Sequence, residues 1–155
     1  VLMLVTLFTL GHTFALFLSV YNVVTIKSSW IEFLIPITIL ITALGNIFSS
    51  KKNTKKDAVN FTFILTLFFG IIHGFGFSNY FKSILPGAAT DKILPLLEFA
   101  LGIEAAQLLV VFVILIASFL VGYFLKNAKR DWVLIVSSVI IGMIIPMILE
   151  SDIWK

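Results

Sequence analysis

The chain has 155 residues, 60% of them hydrophobic and only 12% charged, with a mean hydropathy of +1.13 and a formal net charge of +3. A soluble domain carries about 25% charged residues, so this chain lacks the charge to coat a water-facing surface. It has no cysteine, which excludes a disulfide framework, a zinc knuckle and a thiolate nucleophile, and no basic stripe interleaved with aromatics of the kind that binds nucleic acid.

The apolar residues fall in long runs rather than amphipathic stripes. Runs of about 20 such residues are long enough to cross the hydrocarbon core of a bilayer. The pattern predicts an all-α, polytopic transmembrane helix bundle, one domain over 1–155, with five spans. The first covers Val1–Val24. No initiator Met and no basic segment precede it, so it reads as a span rather than a signal peptide, and the chain is expected to be a fragment with more sequence upstream. A tight turn at Thr25–Ser29 leads to the second span, Trp30–Phe48. A lysine run at Ser50–Asp57 precedes the third, Val59–Ile84. Its glycine-rich stretch, Gly70–Phe81, is expected to be locally unwound, as backbone lining a cavity can be. Leu85–Ile93, with Pro86 and Gly87, leads to the fourth span, Leu94–Leu125, and Lys126–Asp131 leads to the fifth, Trp132–Leu149.

Charge sets the orientation. The connections at 50–57 and 126–131 carry Lys51, Lys52, Lys55, Lys56, Lys126, Lys129 and Arg130, against Lys27, Lys82, Lys92 and Lys155 on the other side. The positive-inside rule makes the lysine-rich side cytoplasmic, so Val1 starts inside and the C-terminus ends outside. Trp30, Trp132, Trp154, Tyr21 and Tyr123 all fall at span ends, the headgroup level that amphipathic rings prefer.

An ionisable side chain at mid-span costs about 2.5–3.5 kcal/mol on insertion scales and usually faces the bundle interior. His12, His73 and Glu104 are such residues, each near the middle of a different span. Gln107 follows Glu104 by three positions and shares its helix face. Asn46 lies toward the cytoplasmic end of the second span, and Glu32 at its outer end. Small residues flank the expensive ones: Gly11, Ala15 and Ser19 beside His12, Gly70 and Gly74 around His73, and Gly102 and Ala106 around Glu104. Such stripes let helices approach closely.

Imidazole, carboxylate and carboxamide together form the N/O donor set that suits Ni²⁺, Co²⁺ or Zn²⁺. The same residues can relay protons. For the two histidines, plain interhelical hydrogen bonding weighs about equally with a site. Glu104 favours the functional reading. Glu98 and Glu32 read as interfacial acids, Met143 and Met147 as packing, and Pro36 and Pro146 as kinks.

Three blocks resemble the HupE/UreJ family of bacterial membrane proteins. Phe8-Thr9-Leu10-Gly11-His12-Thr13 is similar to the family's FTxGH[ST]. Phe69-Gly70-Ile71-Ile72-His73-Gly74-Phe75-Gly76-Phe77-Ser78 is similar to FGxxHGxGF[AS]. Gly102-Ile103-Glu104-Ala105-Ala106-Gln107-Leu108 is similar to G[VI]ExxQL. The resemblance implies a six-helix fold in the bacterial inner membrane, with an upstream helix bearing an Asp-His pair that is absent from this sequence. It also implies association with hydrogenase or urease gene sets in some members, which act as nickel permeases. The family's histidines and glutamate fall on His12, His73 and Glu104. One departure is Phe99-Ala100, where the family often has Phe-Asn.

These readings lead to a gradient-driven permease for a divalent transition-metal ion, Ni²⁺ or Co²⁺, with His12, His73, Glu104, Gln107 and Asn46 as its metal site and no resident cofactor. Two other classes compete: a non-catalytic membrane partner that aids assembly of a metalloenzyme or respiratory complex, and an intramembrane metal-dependent hydrolase. The last has neither Gly-x-Ser-x-Gly nor His-Glu-x-x-His to support it. Partners expected are the lipid bilayer, the ion, and either a second copy or a metalloenzyme-assembly factor.

Overall fold

The computed structural model describes residues 1–48, 56–84, 92–124 and 129–154. Five α-helices run through them: α1 (Leu2–Val20), α2 (Ser28–Phe48), α3 (Lys56–Ile84), α4 (Ile93–Phe124) and α5 (Lys129–Leu149). Each is long and apolar enough to cross a membrane. A 3₁₀ turn at Asp152–Trp154 follows. Most of the lysine run at 50–57, the Pro86–Gly87 connection and Lys126 lie outside the described residues.

The helix ends sort into two levels. At one level Asn79 Nδ2 donates to Ser28 Oγ at 2.6 Å and Lys82 Nζ donates to Asn22 Oδ1 at 3.2 Å. The Lys92 ammonium lies 5.9 Å from the Tyr21 ring centroid, and the Trp154 ring meets Phe33 edge-on at 5.6 Å. The end of α1, the start of α2, the end of α3, the start of α4 and the C-terminal turn therefore share this side. At the other level Trp132 Nε1 donates to Ser118 Oγ at 3.1 Å, tying the start of α5 to the later part of α4. The helices alternate in direction, and α1 lies against both α3 and α4, while α2 lies against α3 and α5.

Large apolar side chains point outward all along the bundle; Leu101 is 68% exposed and Phe119 71%. In water that surface would be a liability; in lipid it is the solvated face. Inside, Leu16, Val20, Phe81 and Leu96 pack together with Phe99 against them.

The first span ends sooner than its composition predicts. Val23 and Val24 prolong the apolar run, but Asn22 takes a left-handed conformation with φ 55°. The Asn22 and Val23 N–H groups then close onto the Ser19 and Leu18 carbonyls, the Schellman pattern that stops a helix. Asn tolerates that conformation better than other non-glycine residues.

The glycine-rich stretch of α3 is not unwound; helix runs without a break from Lys56 to Ile84. Its glycines serve close approach instead. A Cβ on Gly70 would strike the backbone carbonyl of Phe8, and one on Gly74 would strike the carbonyl of His12 and come within 2.8 Å of the Ala15 Cβ. From the α1 side, a Cβ on Gly11 would strike the Leu67 carbonyl. In a bilayer, helix association rests on such packing, because burying apolar surface from lipid gains little. Gly102 departs from the expected small-residue contact: nothing lies within 4 Å of its Cβ position.

The two kinds of glycine should separate on substitution. Gly74→Ala is expected to lower stability by about 1–3 kcal/mol, because the obstructing atoms are backbone and cannot swing away. Gly102→Ala is expected to leave stability unchanged or raise it by up to about 1 kcal/mol through helix propensity. Thermal unfolding of the two variants in detergent measures the difference.

Candidate functional site

The α1–α3 contact puts His12 on the inner face of the bundle, where it is 2% exposed. Three phenylalanine rings surround its imidazole: Phe77 at 5.5 Å, Phe8 at 6.1 Å and Phe99 at 6.4 Å between centroids. Neither ring nitrogen has a hydrogen-bond partner among the described residues, and the neighbouring Thr13 hydroxyl has none either. An unsatisfied buried polar group costs about 1–3 kcal/mol, so an orphaned imidazole in a closely packed helix pair points to a use outside folding.

His73 sits on α3, half-buried. The edge of its ring meets Phe8 at 5.3 Å, and Nε2 lies 3.3 Å from Thr38 Oγ1 on α2. His12 and His73 line one cavity of about 560 Å³ together with Gln107. The rest of its wall is apolar, from Val5, Phe8, Phe77 and Ile103 among others. A second cavity of about 670 Å³ shares Phe8 and His73 with the first and is richer in oxygen, taking in Thr38, Thr42, Asn46, Thr62 and Thr66. His73 and Phe8 thus line both the apolar cavity and the hydroxyl-lined one.

Glu104 and Gln107 meet α1 through two hydroxyls. Thr6 Oγ1 donates to Glu104 Oε1 at 2.9 Å, and Thr9 Oγ1 donates to Gln107 Oε1 at 3.0 Å. The two pairs clasp α4, the most lipid-exposed span, to α1.

Of the five residues expected in a site, three share one cavity: His12, His73 and Gln107. Asn46 joins them only through the second cavity and its common wall at His73. Glu104 is directed to Thr6 and does not line the first cavity. Among the described residues, no group of three or more His, Asp or Glu side chains is gathered to hold a metal ion. The donors converging in the first cavity are two imidazoles and a carboxamide.

The sequence does not mark Thr6, Thr9 or Thr38 as partners of the site, nor the phenylalanines around His12, although Phe8, Thr9 and Phe77 fall within the quoted blocks. A signal existed for two of them. Thr6, Thr9 and His12 follow each other at intervals of three, a spacing that places them along one side of a helix.

An alternating bundle of helices long and apolar enough to cross a membrane defines a class: multi-pass membrane proteins. The HupE / UreJ protein family model matches residues 1–150, and the chain belongs to that family. The family consists of transporter-like membrane proteins associated with nickel and cobalt transport. No curated protein and no solved structure matches the chain.

If folding does not use the His12 imidazole, an apolar residue of similar size should replace it without loss. His12→Leu is expected to keep the stability of the native protein or exceed it by about 1–3 kcal/mol, the cost of the unsatisfied group. Thermal unfolding in detergent reads this, and a marked fall in stability would mean that the imidazole has a structural partner.

Proposed function

We propose that the protein is a permease that carries a divalent transition-metal ion, Ni²⁺ or Co²⁺, inward across the bacterial cytoplasmic membrane, driven by ion gradients. The observation that carries this reading is the orphaned His12 imidazole in the same cavity as His73 and Gln107. Neutral imidazole suits both ions. A passing ion needs ligands strong enough to replace its water yet few enough to let go, and two imidazoles with a carboxamide meet that need.

Charge gives Glu104 its part. Moving a bare dication into an apolar chamber costs tens of kcal/mol by Born solvation, and imidazoles alone offer no opposing charge. Glu104 stands one helical turn from Gln107 on the same side of α4 and supplies that charge, with Thr6 holding the carboxylate while the ion is absent. On the cytoplasmic side the ion leaves past His73 into the hydroxyl-lined chamber, where Asn46 and the threonines offer oxygen to a cation regaining its water. The lysine-rich connections at 50–57 and 126–131 lie in the cytoplasm in this reading.

Uptake of radioactive nickel by cells lacking other nickel importers tests it. His73→Ala and Glu104→Ala are each expected to reduce uptake to background, a loss of at least about tenfold, at equal amounts of protein in the membrane. Uptake at the native rate in both variants would overturn the proposal.

A further inference from the structure

We propose that Thr38 is a positioning residue that fixes the tautomer of His73, leaving Nδ1 as the nitrogen that meets the ion. The inference begins with a hydroxyl that can donate only once. Thr38 is 4% exposed. Its Oγ1 donates to the backbone carbonyl of Ile35, three residues back along α2, at 2.7 Å. The same oxygen lies 3.3 Å from His73 Nε2. With its proton committed to Ile35, the hydroxyl has only lone pairs to offer the ring, so the contact is a hydrogen bond when Nε2 carries a hydrogen and donates it.

The reverse assignment would have the hydroxyl donate to Nε2. It requires Thr38 to abandon the shorter of its two contacts for the longer one. A neutral imidazole has one N–H, and fixing it at Nε2 puts the lone pair on Nδ1. Metal-binding histidines are oriented in this way, by a second group that takes the ring N–H and aims the other nitrogen.

The helix itself supports the arrangement. A threonine hydroxyl on a helix bonds readily to a carbonyl three or four residues back, as Thr38 does here. Thr38 is thus held in place by its own helix, and His73 is held by Thr38. The ring also meets Phe8 edge to face, with 5.3 Å between centroids.

The kinetic consequence rests on the permease reading; the tautomer does not, and the two are tested separately. The chain has two histidines, so ¹⁵N-histidine labelling of the purified protein in detergent gives two imidazoles, and the His12→Leu variant identifies the His73 signals. His73 is expected to show the Nε2–H form, with a single tautomer in the native protein and a mixture in Thr38→Val. In nickel uptake, Thr38→Val is expected to raise KM by about 10–100-fold, the usual cost of losing such a supporting contact. Thr38→Ser, which keeps the hydroxyl, is expected to restore both the spectrum and KM. An Nδ1–H tautomer in the native protein would overturn the inference, as would a Thr38→Val protein with native spectrum and KM. Native protein that shows the Nε2–H form but carries no nickel would instead overturn the permease reading and leave the tautomer assignment standing.

Discussion

The bundle depends on one contact, the backbone-to-backbone approach of α1 and α3. Three glycines make it possible: Gly70 and Gly74 face the carbonyls of Phe8 and His12, and Gly11 faces that of Leu67. In water, two apolar helices would be driven together by the surface they bury. In a bilayer that drive is largely absent, because lipid is as apolar as leucine, and close packing takes its place. The same contact positions the site. His12 presents its carbonyl to Gly74, the residue after His73, so the approach that holds the helices together also sets two imidazoles at one depth around one cavity.

Polar groups in the span region follow the rule that hydrocarbon offers them no partner. Threonines do most of the matching. Thr6 and Thr9 serve Glu104 and Gln107, and Thr38 serves His73 while bonding its own helix. Against that pattern the His12 imidazole stands out, with neither nitrogen satisfied. A folding role would have given it a hydroxyl or a carbonyl; phenylalanines surround it instead. Apolar walls keep water from satisfying the ring and strengthen any bond that it forms with a ligand, since the local dielectric is low.

The spans and their number were legible in the sequence because span length and apolarity are set by the bilayer and need no tertiary information. The unusual placing of His12 and His73 was legible for a related reason: an ionisable group at mid-span is costly wherever it faces. Which way a side chain faces was less legible. In a soluble helix the apolar stripe marks the buried side. Here α3, α4 and α5 are apolar nearly all round, so a small residue such as Gly102 reads as a packing position although its Cβ site is open, while Gly74 reads the same and is truly packed. The partners of Glu104 and Gln107 were hidden because they depend on how α1 and α4 are set against each other. The early stop of α1 lay in the conformation of a single residue, Asn22, against a β-branched apolar run that composition alone would continue.

Under the permease reading proposed above, the position of Glu104 bears on how such a cavity could pass an ion rather than trap it. A carboxylate fixed beside two imidazoles would bind a transition-metal dication tightly, and tight binding is the enemy of release. In this structure the carboxylate is held by Thr6 outside the chamber that contains His12, His73 and Gln107. A single hydroxyl is a modest tether, about 1.5–3 kcal/mol for a bond to a charged group, well below the Coulomb attraction of a dication in a poorly screened interior. The carboxylate is not part of one ligand set with the two imidazoles in this structure. Under the proposed permease function, separating the negative charge from the nitrogen donors leaves no permanent carboxylate among them and reserves full coordination for an arriving ion.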